Sequence, residues 1–318
     1  MALPISEIQT TTTEARARKS VNNLSNSNAL LGHMKKSNGG KLRMKPYTGG
    51  SELTEAVTIE QTVAGFYRGA DRLNVRATPV TTLAKYPLVL AYAQVSYTGE
   101  DELKNDGRAK MIDLIGTRTE AAMWTLENMI AASLYSNGSG LNLNGLEYYL
   151  PAAQTGVTGG ISRAGVTRWQ NQVVGGLVTT AGSSNVNDKI NEGLTSARMN
   201  NMTPDCGFVG NTVWLALIRE AQLQQRFGNG DSATMGFKSL NVSGADIYPD
   251  GGLAGNAPDG VIYLLNSRNI HYRPSPKRHF TVQKQDKSPV DQDIRIRYIL
   301  FAGQLTFDNL RNHCRVGA

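Results

Sequence analysis

The sequence has 318 residues, of which 40% are hydrophobic and 19% charged, and it contains 33 glycines. This length allows about two domains with sizeable cores, and the glycine content predicts many turns and loops. Cys206 and Cys314 are too few for a disulfide framework and lack the spacing of a zinc site, which favours a reducing compartment. No apolar run reaches the roughly 18 residues that cross a bilayer, and no signal-peptide core precedes the chain, so we expect a protein made in a cytoplasm.

Positive charge is concentrated at the start of the chain. Residues 1–45 hold eight basic residues against two acidic ones, a net charge of +6 within a total of +7. The same segment is rich in serine, threonine, asparagine and glycine and has little apolar periodicity, so we predict an extended basic arm. Such an arm suits contact with nucleic acid or with an acidic surface of a neighbouring subunit. Its basic residues are Arg16, Arg18, Lys19, Lys35, Lys36, Lys41, Arg43 and Lys45.

A long two-stranded hairpin is predicted after the arm, over residues 46–97. Apolar residues alternate in 51–64, although Glu55 and Gln61 interrupt the pattern, and residues 86–97 supply a return strand. The bend falls in FYRGADRLNV, at Gly69. Since a two-stranded hairpin is barely stable alone, it needs a partner surface. The candidate intersubunit contacts at its tip are the charged residues Arg68, Asp71 and Arg72.

The remaining pattern mixes helices and strands, which predicts an α+β fold. Helical periodicity over about 102–136 predicts a long helix, with Gly107 and Gly116 as possible breaks, and 187–199 predicts another. A strand followed by a helix is predicted within 204–222. The last third returns to strands, at 261–265, 279–283 and 293–302.

No set of residues makes a convincing catalytic or cofactor site. GNGDSA at 228–233 matches a dinucleotide fingerprint loosely, but it follows a helical pattern rather than a strand. Ser139 and Ser162 lie in small-residue turns without the spacing of a nucleophile elbow. His313 beside Cys314 is weak as a metal pair. The sequence therefore predicts no enzyme, no cofactor and no metal site.

Charged clusters elsewhere have ordinary explanations. The acidic residues at 100–102 lie where a helix begins, and negative charge is favoured at that end. The segment 261–285 carries five basic residues and no acidic one, so it suits either nucleic acid, a neighbouring subunit or a solvated face. These basic residues are Arg268, Arg273, Lys277, Arg278 and Lys284.

The stretch after the long helix contains the most distinctive sequence motifs of the chain. LYSNGSG at 134–140 is followed by the pair Gly145–Leu146, and GGISR at 159–163 is followed by Trp169 and Asn171. In these motifs and in the order of its elements, the chain resembles the major capsid proteins of tailed bacteriophages. The resemblance implies the Hong Kong 97-like fold, in which an arm and an extended E-loop precede a peripheral domain with a spine helix and an axial domain.

On that resemblance, the arm is 1–45, the E-loop 46–97, the peripheral domain 98–175 with 261–318, and the axial domain 176–260. The implied function is a shell of hexamers and pentamers around the double-stranded DNA of a tailed phage, assembled in the host cytoplasm. The implied partners are DNA, which is contacted non-specifically, and separate scaffolding and portal proteins, with a decoration protein as a further candidate. No membrane is implied.

Two departures from the family matter. The sequence has no long segment ahead of the arm, which implies a separate scaffolding protein or none, and we assign no lysine and asparagine pair to the covalent cross-link that some members form. Two alternatives stay open, an encapsulin-like nanocompartment shell and an α+β serine hydrolase that uses Ser139 or Ser162.

Overall fold

The computed structural model describes residues 29–35, 42–104, 114–199, 202–225, 239–250, 256–283 and 293–317. The helices among them are α1 (Ala29–Lys35), α2 (Gly99–Lys104), α3 (Leu114–Ser133), α4 (Leu146–Tyr149), α5 (Val186–Ser196) and α6 (Asn211–Gln225). The strands are β1 (Arg43–Met44), β2 (Leu53–Thr58), β3 (Thr81–Tyr86), β4 (Val89–Thr98), β5 (Val157–Thr158), β6 (Ile161–Ser162), β7 (Gln172–Val174), β8 (Cys206–Val209), β9 (Leu240–Val242), β10 (Ala245–Pro249), β11 (Ile262–Leu265), β12 (Ile270–Pro274), β13 (Thr281–Val282), β14 (Ile294–Phe307) and β15 (Cys314–Val316).

The chain divides into two compact units. One contains residues 90–130 and 275–302. In this unit β13 pairs antiparallel with β14, with Thr281 opposite Leu300, and β4 also pairs with β14. The side chain of Arg118 on α3 donates to the carbonyl of Ser96 at 3.1 Å, which ties this helix to the end of β4.

The other unit contains residues 26–89, 131–274 and 303–318. Its largest sheet has the strand order β7-β15-β11-β8-β10-β9. Helices α5 and α6 pack on this sheet through apolar side chains that are withdrawn from water, which supplies the main favourable term for this core. These side chains include Ile190 and Leu194 of α5, Val213 and Leu217 of α6, and Val209, Ile247, Leu264 and Val316 of the strands.

A second group of strands in this unit holds the hairpin. β1 runs parallel to β12, and β12 runs antiparallel to β14 from Ile270 opposite Phe307 to Pro274 opposite Gly303. β2 and β3 pair with each other, with Leu53 opposite Tyr86 and Thr58 opposite Thr81. Inward positions of β2 are buried and outward positions exposed, as its alternating pattern predicts.

Three sequence predictions need correction. The return strand of the hairpin is Thr81–Tyr86, and residues 89–98 form a separate strand, because Pro87 interrupts the run. The long helix is α3 at Leu114–Ser133 with α2 before it, and Gly116 lies inside α3 without breaking it; residues 105–113, with Gly107, lie outside the described residues. The arm is not extended throughout, since Ala29–Lys35 is helical.

Candidate assembly surfaces

The long hairpin exposes apolar side chains that its own strands do not cover. β2 and β3 end at Thr58 and Thr81, and the 59–80 segment between them contains no helix or strand. Phe66 is fully exposed, and Val75 is 93% exposed. Tyr67 and Leu73 are also largely exposed. Exposed large apolar groups concentrated on one segment are typical of a surface that another protein covers.

A buried carboxylate anchors the base of this hairpin. Glu55 lies on β2 at an inward position and is 6% exposed. Its Oε1 lies 2.8 Å from Nη1 of Arg273 on β12, and its Oε2 lies 3.0 Å from Nζ of Lys45. The hydroxyl of Thr306 on β14 donates to Oε1 at 3.2 Å. A buried carboxylate is tolerated here because it is paired and hydrogen-bonded. Glu55, which interrupts the apolar alternation in the sequence, is therefore the residue that attaches β2 to the sheet.

Arg273 also bridges the hairpin and the sheet through the backbone. Its Nη1 donates to the carbonyl of Thr54 at 3.2 Å in addition to the carboxylate of Glu55. The same region is held by the hydroxyl of Tyr86 on β3, which donates to the carbonyl of Phe307 at 3.1 Å. Burial raises the pKa of this phenol, so it stays a protonated donor. Both strands of the hairpin are therefore tied to β12 or β14.

The charged tip of the hairpin forms a local turn. The carboxylate of Asp71 accepts a hydrogen bond from the backbone N–H of Arg68 at 2.9 Å, and the Asp71 N–H donates to the Arg68 carbonyl at 3.2 Å. Asp71 thus has a partner inside its own segment, which the sequence reasoning did not foresee. The side chains of Arg68 and Arg72 make no ion pair with any described residue. All three residues are exposed, and their pairing across subunits stays a prediction.

The turn-rich stretch at 145–172 folds around a buried arginine. The guanidinium of Arg163 donates to the hydroxyl of Thr158 and to the side-chain carbonyl of Asn171, both at 2.8 Å, and to the main-chain carbonyl of Tyr149. Arg163 is 1% exposed, and burial lowers its pKa to about 10. It keeps its charge at neutral pH and is solvated by three neutral oxygens. The indole of Trp169 donates to the Thr158 carbonyl at 3.0 Å, which closes the loop on itself.

Glycine is required at two points of this stretch. At Gly145 an added Cβ would lie 2.5 Å from the carbonyl oxygen of Ser133, because the chain turns back against the end of α3. Gly159 has a φ of +61°, which suits the tight turn between β5 and β6. The glycines therefore allow the bends, and the hydrogen bonds of Arg163 hold them.

Helix α1 docks on an internal carboxylate. The backbone N–H groups of Ala29 and Leu30 donate to the two oxygens of Asp250, each at 2.9 Å, and the hydroxyl of Tyr135 donates at 2.6 Å. Burial raises the pKa of Asp250, although these hydrogen bonds oppose that shift. Leu30 and Met34 are fully buried on the inner face of the helix. Their spacing was a helical signal that the high polarity of the arm obscured.

The predicted arm residues fall mostly outside the described part of the chain. Lys35 ends α1, and Lys45 pairs with Glu55 rather than facing solvent alone. Arg43 begins β1, and its side chain is not described. Outside the described residues lie Arg16, Arg18, Lys19, Lys36 and Lys41, together with the GNGDSA segment and Lys284.

The other candidate residues have structural roles where they are described. The hydroxyl of Ser162 accepts from the N–H of Gly165 at 3.3 Å, as expected for a turn serine. His313 Nδ1 accepts from the N–H of Asn266 at 3.1 Å, and burial lowers the pKa of His313 to about 3. Burial raises the pKa of Cys314 to about 12. Among the described residues no group of three histidine, cysteine or acidic side chains is placed to hold a metal ion.

No helix in the described part of the chain has the length and apolar character needed to span a bilayer.

Comparison with known proteins gives matches only among solved structures. No protein-family model and no curated sequence matches the chain. The Cyanophage A-1(L) capsid subunit superposes with a TM-score of 0.75 at 15% identity over 95% of each chain. The chain has the phage capsid fold. The capsid of the native GTA particle gives a TM-score of 0.61 at 11% identity over 94% of this chain and 92% of that one.

An encapsulin is also among the solved structures that match. The SrpI encapsulin of Synechococcus elongatus PCC 7942 gives a TM-score of 0.56 at 12% identity over 99% of this chain and 95% of that one. The motifs at 134–171 indicated a resemblance to the major capsid proteins of tailed phages, and the matches confirm that resemblance at the level of the fold. They also confirm the predicted α+β fold of Hong Kong 97-like type.

Proposed function

We propose that this chain is a major capsid protein, many copies of which self-assemble into the icosahedral shell around the double-stranded DNA of a tailed bacteriophage. The observation that carries the proposal is the match to the Cyanophage A-1(L) capsid over 95% of both chains. The proposal assigns the chain no enzymatic step and no cofactor.

The hairpin supplies the contact between subunits in this proposal. We assign it as the E-loop, whose exposed apolar residues Phe66, Tyr67, Leu73 and Val75 are covered by an adjacent subunit. Obligate interfaces commonly bury about 2,000–5,000 Å², and side chains of this kind supply the apolar part of such an area. The tip residues Arg68, Asp71 and Arg72 then lie at the rim of the contact, where charges set orientation more than affinity.

The basic arm serves the packaged DNA or acidic surfaces of neighbouring subunits. Its charge of +6 lies within residues 1–45, and phosphate neutralisation by such a segment weakens as the salt concentration rises. Because α1 is part of the core and Lys45 pairs with Glu55, a cleaner test than removal of the whole arm replaces Arg16, Arg18, Lys19, Lys36 and Lys41 together by glutamine. We expect this variant to fold but to package less DNA, with a smaller dependence on salt. Normal filling with unchanged salt dependence would show that the charge of the arm is dispensable.

The remaining assignments complete this account. We propose hexamers and pentamers as the capsomers, a peripheral domain at 98–175 with 261–318, and an axial domain at 176–260. Assembly takes place in the host cytoplasm and the product is the virion. A separate scaffolding protein and a portal are the proposed partners, with a decoration protein as a further candidate, and contact with DNA is non-specific.

An encapsulin-like nanocompartment is the second candidate, because the SrpI encapsulin has the same fold over nearly the whole chain. The contents of purified particles separate the two functions. A capsid protein expressed in infected cells yields particles whose absorbance at 260 nm reports nucleic acid, and that signal persists after external nuclease treatment. Particles that instead carry a single folded enzyme and no nucleic acid would support the nanocompartment and overturn the capsid proposal.

A further inference from the structure

Four arginines that are far apart in the sequence lie around one cleft, in the unit that contains residues 131–274 and 303–318. The cleft has a volume of about 530 Å³, and Arg168 and Arg311 line it. Arg198 and Arg268 each directly precede another residue that lines it. All four arginines are exposed. The cleft is therefore a concentration of positive charge on the folded surface.

Hydrogen bonds hold the segments around this cleft together. Each joins residues that are distant in the sequence: the N–H of Asp308 donates to the carbonyl of Asn269 at 3.3 Å, Nδ2 of Asn312 to Sδ of Met202 at 3.8 Å, and the N–H of Gln172 to the carbonyl of His313 at 2.9 Å. Met202 in turn pairs with Met199, which follows Arg198. The arginines thus meet because of the fold, and no local pattern in the sequence indicates it.

Acidic side chains do not neutralise these arginines. None of the four guanidinium groups forms an ion pair with a residue in the described ranges. Among those residues the acidic side chain that lines the cleft is Asp308, and its Oδ2 lies 3.3 Å from Nε2 of His271. Like charges gathered at one cleft repel one another, and a bound anion relieves that repulsion.

Neutral side chains at the cleft also supply donors. Thr58 of β2 lines it with a hydroxyl, and Asn309 lines it with an amide. The side-chain oxygen of Asn309 accepts from the N–H of Arg311 at 2.9 Å, which leaves the amide nitrogen as a donor. Donors around a positively charged cleft favour a ligand that only accepts hydrogen bonds and carries negative charge.

The spacing of charges distinguishes a phosphate backbone from the acidic part of the chain's own arm. Residues 1–15 contain Glu7 and Glu14 and no basic residue. Seven residues of extended chain span about 23 Å, whereas a cleft of about 530 Å³ is only about 8 Å across if its dimensions are equal. One of these carboxylates at most can therefore lie in the cleft. A DNA strand carries a phosphate about every 3.4 Å along the helix axis, so several phosphates can meet the arginines together.

From these observations we infer that the cleft binds the phosphate backbone of nucleic acid, and that Arg168, Arg198, Arg268 and Arg311 contact the phosphate oxygens. Guanidinium groups bind phosphate in a bidentate geometry, and such contacts do not depend on base sequence. The inference rests on the proposed function for the source of the nucleic acid. It adds to the basic arm a second DNA-contacting surface, which is built into the folded subunit.

The first test measures DNA binding by unassembled, full-length protein in which the five basic arm residues Arg16, Arg18, Lys19, Lys36 and Lys41 are replaced by glutamine. A short fluorescein-labelled DNA duplex is the probe, and fluorescence polarisation follows its binding over a range of salt concentrations. We expect Arg168→Gln and Arg311→Gln each to weaken binding by about threefold to fivefold, the effect of one exposed charge contact. Each should also lower the slope of log K against log salt concentration by about 0.9.

The matched control is Arg219→Gln on α6, an exposed position that changes the net charge equally. It should leave both the affinity and the salt slope unchanged, and circular dichroism should show that all variants are folded. Equal losses in Arg219→Gln and in the cleft variants would show that binding follows net charge alone, which would overturn the inference.

The second test locates the contact by modification of arginines with phenylglyoxal, read by mass spectrometry. Arg168, Arg198, Arg268 and Arg311 should react readily in the free protein, because they are exposed. DNA should slow their modification but not that of Arg219. Four arginines that react slowly before DNA is added would show that the chain itself covers the cleft, and unchanged reactivity with DNA would place the contact elsewhere. Either result contradicts the inference.

Competition identifies the chemistry of the ligand. Inorganic pyrophosphate should displace the duplex more effectively than a peptide with the sequence of residues 1–15. Stronger displacement by that peptide would assign the cleft to carboxylates and overturn the inference. Shell formation, measured by electron microscopy, is a separate result. A protein that forms shells but binds no DNA at the cleft refutes this inference alone, and a monomer that binds DNA there refutes the proposed function alone.

Discussion

Replacement of Glu55 by glutamine tests whether the buried carboxylate anchors the hairpin. The side chains of Glu55 and Arg273 are 7% and 10% exposed, so both charges have lost most of their hydration. Removing one partner of a buried pair leaves the other uncompensated, at a cost of about 3–5 kcal/mol. Because glutamine keeps an oxygen for Arg273, we expect Glu55→Gln to lie at the lower end, about 3 kcal/mol. Lys45 is half exposed and adds at most about 1 kcal/mol.

The assay is urea unfolding of the unassembled subunit, with the midpoint and slope compared between variants. Glu52→Gln is the matched control, because Glu52 is half exposed and its oxygen lies 3.7 Å from Nζ of Lys85, which is also exposed. We expect that control to change the free energy of unfolding by less than about 1 kcal/mol. The double variant Glu55→Leu with Arg273→Met should recover much of the loss, since it leaves no buried charge unpaired. Equal effects of Glu55→Gln and Glu52→Gln would refute the anchoring role.

Three further predictions follow from the same structure. Burial in the folded state lowers the pKa of His313 from the ordinary 6.5 to about 3, so the folded protein holds this side chain neutral. The contribution of His313 to the free energy of unfolding should therefore be fully present above pH 6.5 and decrease as the pH falls towards 3. His313→Gln should flatten this pH dependence in urea titrations. Arg163→Lys should lower the free energy of unfolding by about 3 kcal/mol, because an ammonium cannot reach all three oxygens, whereas the exposed Arg168→Lys should change it by less than about 0.5 kcal/mol. Asp71→Arg should reduce the yield of closed particles without altering the circular dichroism of the subunit. Asp71→Asn is the comparison variant, because its side-chain oxygen keeps an acceptor for the tip turn. A normal yield from Asp71→Arg at low and high salt would contradict an intersubunit contact at this position.

The order of elements was predictable from the sequence where burial is regular. β2 alternates strictly, and α5 and α6 carry apolar residues at helical spacing, so their patterns predicted the right structures. The return strand was placed too late because residues 86–97 are the more apolar run, whereas the partner of β2 is Thr81–Tyr86, a strand of alternating exposed and buried residues. Pairing between strands is a long-range property, and a local pattern does not specify it.

The polar residues at the candidate surfaces were less predictable. Glu55 counted against a strand in the sequence, yet it is buried because Arg273, more than two hundred residues later, lies beside it. Arg163 belongs to the motif GGISR, but its role as a buried hydrogen-bond donor depends on three oxygens that the loop brings together. Asp250 gave no local signal at all, since it caps a helix near the other end of the chain. Each of these contacts joins segments that only the folded chain places together.

Electron microscopy of the purified full-length protein tests the capsid proposal most directly. The account predicts closed icosahedral particles of uniform size, built from hexamers and pentamers with the 53–86 hairpin of each subunit lying on a neighbour. Phe66 and Val75 should be covered in such particles, and their replacement by serine should lower the particle yield without unfolding the subunit. A protein that stays a compact monomer at high concentration, across salt conditions and with any scaffolding partner present, would contradict the account.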